Sequence, residues 1–112
     1  MESQSVVKAL GALAQDHRLA AFRLLVQAGR EGMAAGALAE ALGVPNSSLS
    51  FHLAQLTNAG LIIQQRRSRS LIYSADYGAM NSLVGYLMEN CCGGGICAPA
   101  ANCLTEEERN AA

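Results

Sequence analysis

Leucines at 49, 53 and 56 recur at the spacing of one helix face, with polar or small residues between them. Pro45 fits the first turn of such a helix, where a missing N–H costs nothing. Gly60 fits just past its end, where a left-handed residue closes the last turn. The side away from the leucines carries Ser47, Ser48, Phe51, Gln55 and Asn58. Upstream, Leu38, Ala41 and Leu42 predict a short helix over residues 37–42 that stops at Gly43. Earlier still, Val6, Leu10 and Leu13 predict a first helix from about Ser5 to Ala14. Asp16 is the expected N-cap of a second helix. It would run through Leu19, Phe22, Leu25 and Val26 to near Gly29, and Gly32 and Gly36 bracket a loop after it.

After Gly60 the period shortens. Leu61, Ile62 and Ile63 open an extended run that passes through Gln64 and Gln65 to Arg66, and Leu71, Ile72 and Tyr73 form a second run. Arg67-Ser68-Arg69-Ser70 lies between them as a turn, so the pair reads as a hairpin. Asp76 then caps a last helix whose Met80, Leu83, Val84, Leu87 and Met88 make a broad apolar face. Helix, tight Gly turn, helix and basic hairpin together predict a mainly α (α+β) winged helix-turn-helix with about five helices and one hairpin wing. A two-helix corner and a solvated hairpin are the plainer readings of the same segments. The last helix's face, with that of the first helix, is expected to pack against a second copy to form a homodimer, or else to cover the chain's own core. Residues 1–90 are assigned to this domain and residues 91–112 to a Cys-rich sensor tail.

Composition changes the picture in two places. The net charge of −1 argues weakly against a nucleic-acid partner, but the distribution argues for one. From Ala41 to Ala75 there is no acid, while Arg66, Arg67 and Arg69 fall at the hairpin. A local basic face matters more than the total for binding phosphates. All four cysteines, Cys91, Cys92, Cys97 and Cys103, fall in one C-terminal stretch. No apolar run is long enough to span a membrane, and the N-terminus carries no basic-then-apolar signal, so the expected location is cytoplasmic. In that reducing compartment a thiol cluster reads as a metal or redox site.

Four stretches resemble the ArsR/SmtB family of metal- and metalloid-responsive repressors. Leu13-Ala14-Gln15-Asp16-His17-Arg18-Leu19 is similar to the start of that family's second helix, and Leu38-Ala39-Glu40-Ala41-Leu42-Gly43-Val44 to its first helix-turn-helix segment. Ser47-Ser48-Leu49-Ser50-Phe51-His52-Leu53-Ala54-Gln55-Leu56, closed by Ala59-Gly60-Leu61, is similar to its reader helix. Arg66-Arg67-Ser68-Arg69-Ser70 with Tyr73 resembles its wing. The resemblance covers residues from about 6 to 90 and is most specific in the reader segment. It implies a homodimer on double-stranded operator DNA, repressing a detoxification operon until a metal or metalloid binds. The expected DNA contacts are Ser47, Ser48, Ser50, Phe51, His52 and Gln55 with Arg66, Arg67 and Arg69. Phe51 sits where a polar or basic side chain would be the easier DNA contact; it either touches thymine methyls or counts against the reader assignment.

Sensor sites of the family vary in place. Residues 33–44 contain no Cys, and residues 77–90 contain no His and only Glu89, so two of its known arrangements are absent. The tail resembles the subgroup in which arsenite binds a vicinal Cys pair and a further Cys. Neighbouring side chains on a helix diverge by about 100°. Cys91 and Cys92 therefore converge only if the helix ends there, which Asn90 and the glycines allow. Three glycines let the chain return Cys97 to the pair, and three soft thiolates suit pyramidal As(III) or Sb(III). Cys103 could replace Cys97 or complete a four-sulfur zinc site. A divalent-metal site and a disulfide switch through Cys91 stay open beside it, although zinc sites usually space thiolates as C-x2–4-C. Against a small thiol enzyme there is no C-x-x-C and no His near the cluster, and a small thiol metal carrier, the remaining alternative, would not need the acid-free reader and wing. His17 and His52 read as lone histidines, packing or meeting phosphate.

Overall fold

The structure is a computed structural model that describes residues 1–94. Five helices, α1 (Ser3–Leu13), α2 (Asp16–Ala28), α3 (Ala35–Leu42), α4 (Asn46–Asn58) and α5 (Tyr77–Met88), surround a three-stranded antiparallel sheet. Its strands, β1 (Met33–Ala34), β2 (Ile62–Arg67) and β3 (Ser70–Ala75), lie in the order β1-β3-β2. This is a winged helix-turn-helix, as the hydrophobic pattern predicts.

The core is built on leucine. Leu25 of α2, Leu38 of α3, Leu49, Leu53 and Leu56 of α4, and Leu61 are its largest fully buried side chains. Alanine supplies the close approaches: Ala9 of α1 and Ala21 of α2 have no exposed surface. On α1 the buried residues are Val6, Ala9 and Ala12, while Leu10, on the face expected to meet a second copy or the chain's own core, is 41% exposed.

The helix ends explain the remaining offsets. Asp16 is the first residue of α2 rather than its cap; Gln15 takes that place, its side-chain Oε1 accepting from the Arg18 N–H at 3.0 Å. Pro45 stands one residue before α4, in extended conformation, and its carbonyl accepts from Leu49 N–H. At the far end of α4, Gly60 N–H reaches the Thr57 carbonyl and Leu61 N–H reaches the Leu56 carbonyl. Gly60 has φ +79°, so this is the paired closure that a left-handed residue makes. Buried Leu61 follows at once and directs the chain into the wing. Asp76 caps α5 as expected, its Oδ1 accepting from Ala79 N–H at 3.0 Å.

Strand β1 replaces part of the expected loop. Met33 pairs with Tyr73 and Ala34 with Ile72. Two residues are too few to show any periodicity. Gly32 makes the pairing feasible: it has φ +72°, and a Cβ there would lie 2.1 Å from the Tyr73 carbonyl oxygen. That neighbour is backbone in the central strand and cannot give way.

Gly32→Ala should therefore detach β1 and destabilise the fold by about 2 kcal/mol or more. Gly36→Ala, in open space on α3, should be neutral or stabilise by up to about 1 kcal/mol. Urea midpoints of the two variants would show the contrast; equal midpoints would remove the close approach as a constraint.

Candidate nucleic-acid interface

Helix α4 has one face locked and the other bare. Leu49 and Leu53 are 1% exposed and Leu56 not at all. With those three pinned, helical spacing turns Ser47, Ser48, Ser50, Phe51, Ala54 and Asn58 to solvent, and all six are exposed. Gln55 and His52 lie half-buried on the flank. Phe51 is 59% exposed, a large apolar surface among small polar ones. The bare face carries hydroxyls, amides and one aromatic, and no charge.

The wing stands clear of the core. In β2 only Ile62 is buried, and every residue from Ile63 to Ser70 is exposed. The strands are in register from Ile62 opposite Ala75 to Arg67 opposite Ser70. Ser68 turns the tip in the left-handed region, with φ +56°. Successive strand residues face opposite ways, so Arg66 and Arg67 point to opposite sides of the hairpin and Arg69 sits at its tip. The three arginines thus flank the arm instead of forming one patch. Arg67 donates to Gln65 Oε1 at 3.3 Å, and Gln64 donates to the Tyr73 hydroxyl at 3.0 Å.

A groove of about 290 Å³ runs beside the Arg67 face, lined by Ile63, Gln65, Ser74, Asp76 and Tyr77 with Arg30 across it. Arg30 adds a cation that sequence reading did not single out, because it is distant from the wing along the chain.

The two histidines are not isolated. His17, in the first turn of α2, and His52 of α4 have ring centroids 5.6 Å apart. Phe51 also meets His52, edge-on, with ring centroids 5.7 Å apart. Arg18 anchors the group: its Nε donates to the Ala12 carbonyl at 2.6 Å, and its Nη1 lies 3.4 Å from His52 Nδ1. The expectation of lone histidines is corrected here by the α2–α4 contact, which no local pattern encodes. Burial, then the Arg18 guanidinium and then His17 hold His52 below its ordinary pKa of 6.5.

On α5 the apolar stripe divides. Leu83 enters the core and Met80 packs against it, while Val84 and Leu87 are 44% and 55% exposed. Helix α1, which touches α5, exposes Val7 and Leu10. Beyond α5, Asn90 adopts φ +59° and the chain enters a tight turn over Cys91–Gly94. The helix has therefore ended before Cys91. The Cys92 side chain, Cys97 and Cys103 lie outside what is described. Among the described residues no three His, Cys, Asp or Glu groups are placed to hold a metal ion. No described helix is long and apolar enough to cross a membrane.

Comparison with known proteins agrees with this geometry. A helix-turn-helix domain family model matches residues 13–65. The chain is 33% identical over 69 residues to the HTH-type transcriptional regulator YgaV of Escherichia coli (strain K12), across 62% of this chain and 70% of that protein. It is 35% identical over 80 residues to the nodulation protein NolR of Rhizobium meliloti, across 71% of this chain but only 63% of NolR. The solution structure of the homodimeric winged helix-turn-helix DNA-binding domain of Mb0332 from Mycobacterium bovis, a possible ArsR-family transcriptional regulator, matches with a TM-score of 0.62. That likeness is at 27% identity and covers 78% of this chain and 81% of that one. Fold, bare reader face and relatives define a winged-helix transcriptional regulator, a class of DNA-binding proteins and not of enzymes. Within that class the chain belongs to the ArsR family.

Because His52 titrates lower in the folded chain than in the unfolded one, the unfolded state binds more protons between the lowered value and 6.5. Stability is therefore expected to fall as pH drops through that window. Arg18→Ala should raise the His52 pKa without restoring it fully, since burial remains. The same change should cost about 1–3 kcal/mol through the lost Ala12 bond. Imidazole NMR titrations and urea melts at two pH values would check both; an unmoved His52 pKa would exclude the guanidinium as a cause.

Proposed function

We propose that the chain is a homodimeric repressor that reads operator DNA with α4 and braces on the backbone with its wing. It lets go when trivalent arsenic or antimony binds the C-terminal cysteines. The observation that carries the DNA part is the locked leucine face of α4 opposite six exposed small or aromatic residues. A helix held this way can enter a major groove with Ser47, Ser48, Ser50, Phe51, His52 and Gln55 towards the bases and phosphates. Arg66, Arg67 and Arg69, on both faces and the tip of an exposed arm, suit phosphates on either side of a groove. Val7, Leu10, Val84 and Leu87, exposed on two touching helices, suit the dimer contact. The homodimeric Mb0332 domain supports the same assembly.

The metalloid part rests on the resemblance and on donor chemistry. Three soft thiolates, Cys91, Cys92 and Cys97 with Cys103 as the alternative, would hold As(III) or Sb(III). The end of α5 before Cys91 is compatible with a vicinal pair converging. The bound ion would act as inducer by fixing the chain next to the helix assigned to the dimer. Such couplings are typically about 1–3 kcal/mol and reciprocal.

Two experiments on the full chain test this. In the first, Arg67→Ala with Arg69→Ala should weaken binding to every duplex and flatten the salt slope by about one unit per lost contact. Gln55→Ala should instead relax sequence choice at one base position in each half-site; an unchanged salt slope would take the wing out of the interface. In the second, arsenite is titrated against the protein bound to labelled DNA from upstream of its own gene. Cys91→Ser, Cys92→Ser or Cys97→Ser should retain DNA binding and lose release by arsenite, and Cys103→Ser should mostly keep it. Release by zinc or by a thiol oxidant, but not by arsenite, would replace the metalloid with a divalent-metal or redox signal.

A further inference from the structure

Three basic side chains converge where α2 meets α4. Arg18 is held by the Ala12 carbonyl, His52 lies against both Arg18 and Phe51, and His17 stacks at a tilt of 44° over His52. His17 is exposed, and Arg18 and His52 are half-buried, so the cluster opens to solvent. Asp16 is exposed on the same turn, yet among the described residues no ion pair links it or another acid to the three. Arg18 Nη1–H can donate only to an unprotonated His52 Nδ1, which places that ring's proton on Nε2. Nε2–H, the spare guanidinium hydrogens and the His17 ring are then left as donors. A metal ion does not suit the place, since a fixed guanidinium repels it and, among the described residues, no carboxylate or thiolate completes a site. An anion with several acceptor oxygens does suit it.

We propose that His17, Arg18 and His52 form a cradle for one phosphate group, which in the DNA-bound regulator is a backbone phosphodiester beside the reader helix. The inference rests on the DNA-binding reading above. It extends the contact surface from α4 and the wing to the first turn of α2. His52 shares the α4 flank with Ser48 and Gln55, so a strand of DNA lying along the reader face passes the mouth of the cradle. The positive end of α2 adds to the attraction.

The cradle has a consequence that arginine contacts lack. Its empty form disfavours the charged state of His52, through burial, Arg18 and His17. A phosphate brings opposite charge and favours that state. The proton added at Nδ1 ends the bond from Arg18 Nη1–H, so the guanidinium and both imidazolium N–H groups are left to donate to the phosphate. Binding takes up a proton over the interval between the free and bound pKa values. Affinity for DNA then rises as pH falls through that interval, by up to about tenfold per pH unit for one proton.

The test uses a mixed-sequence synthetic duplex, because phosphate contacts are independent of sequence. Fluorescence anisotropy would follow its affinity for the full chain from about pH 8 to about pH 5.5, the range in which imidazoles titrate. A several-fold gain towards low pH is expected. It should be lost in the His17→Gln, His52→Gln double variant, whose retained circular-dichroism melt shows that it folds. Imidazole NMR should show the His52 pKa raised by the duplex. If the wild-type chain binds the duplex but the gain survives in the double variant, or the His52 pKa stays put, the cradle is wrong and the DNA reading stands. If no duplex binds at any pH, a titration with inorganic phosphate decides. Saturable shifts at His17 and His52 would keep the cradle while the DNA reading falls, and unmoved signals would end both.

Discussion

Burial of three leucines on one side of α4 is the constraint from which the rest of the surface follows. Leu49, Leu53 and Leu56 are at most 1% exposed, and each such burial stabilises by about 1.5–3 kcal/mol relative to exposure. Together they fix the rotation of the helix about its own axis. A roll of one residue, about 100°, would expose a leucine and bury a serine hydroxyl without a partner. The identity of the solvent-facing residues, those proposed to enter the groove, is therefore decided by the core, and α4 needs few specific polar bonds of its own. Among its described side chains, Thr57 bonds the Leu53 carbonyl on its own helix, and His52 is the one that reaches another helix. Core packing sets where the reader points, and the Arg18–His52 contact adjusts one flank of it.

The wing is governed by a different rule. Past Ile62 no residue of the arm touches the core until Leu71, so hairpin register and tip geometry alone hold it. A free hairpin is marginal in water. Here β3 gains a second neighbour in β1, and Tyr73, nearly buried, takes a hydrogen bond from Gln64 at the base of the arm. The short strand β1 therefore matters beyond its two residues. It makes β3 a central strand and gives the exposed arm a rigid root, which is why Gly32, at the crossing with Tyr73, has no room for a side chain.

These two regimes also explain what could be read from residues alone. The reader helix, its closure at Gly60, the hairpin and the Asp76 cap each depend on contacts within a few positions, and the pattern carried them. The family resemblance carried the assembly of those pieces. What escaped depends on distance in sequence. Strand β1 exists only by pairing with residues forty positions on. The burial of Ala9 and Ala12 on α1 depends on the helices packed against it, which the spacing of Val6, Leu10 and Leu13 does not encode. Cap choice at α2 escaped for a local reason: Gln15 and Asp16 both offer a side-chain acceptor, and the backbone selected the earlier one. Splitting of the wing arginines was readable from strand alternation, yet a count of charges treats them as one patch. Of the thiol cluster, sequence placed the cysteines, and the fold adds the helix end before Cys91.

The seam at Arg18 joins these parts mechanically. One guanidinium donates to a carbonyl of α1 and meets a ring on α4, so the first helix and α4 are linked through α2. Helix α1 also touches α5, and α5 ends next to Cys91. In the proposed repressor the inducer acts at the end of α5, and both α1 and α5 lie at the dimer contact. On that proposal a change there would reach the operator in two ways. It would alter the spacing of the two reader helices, and it would displace Ala12 relative to α2, which would load the Arg18–His52 contact. The first way would move each reader as a rigid body and leave its exposed face untouched. The second acts at the 3.4 Å contact, the longer and weaker of the two bonds Arg18 makes, while the 2.6 Å bond to Ala12 holds. Strain between α1 and α4 would therefore appear first at His52, the residue that meets both the reader flank and the phosphate cradle.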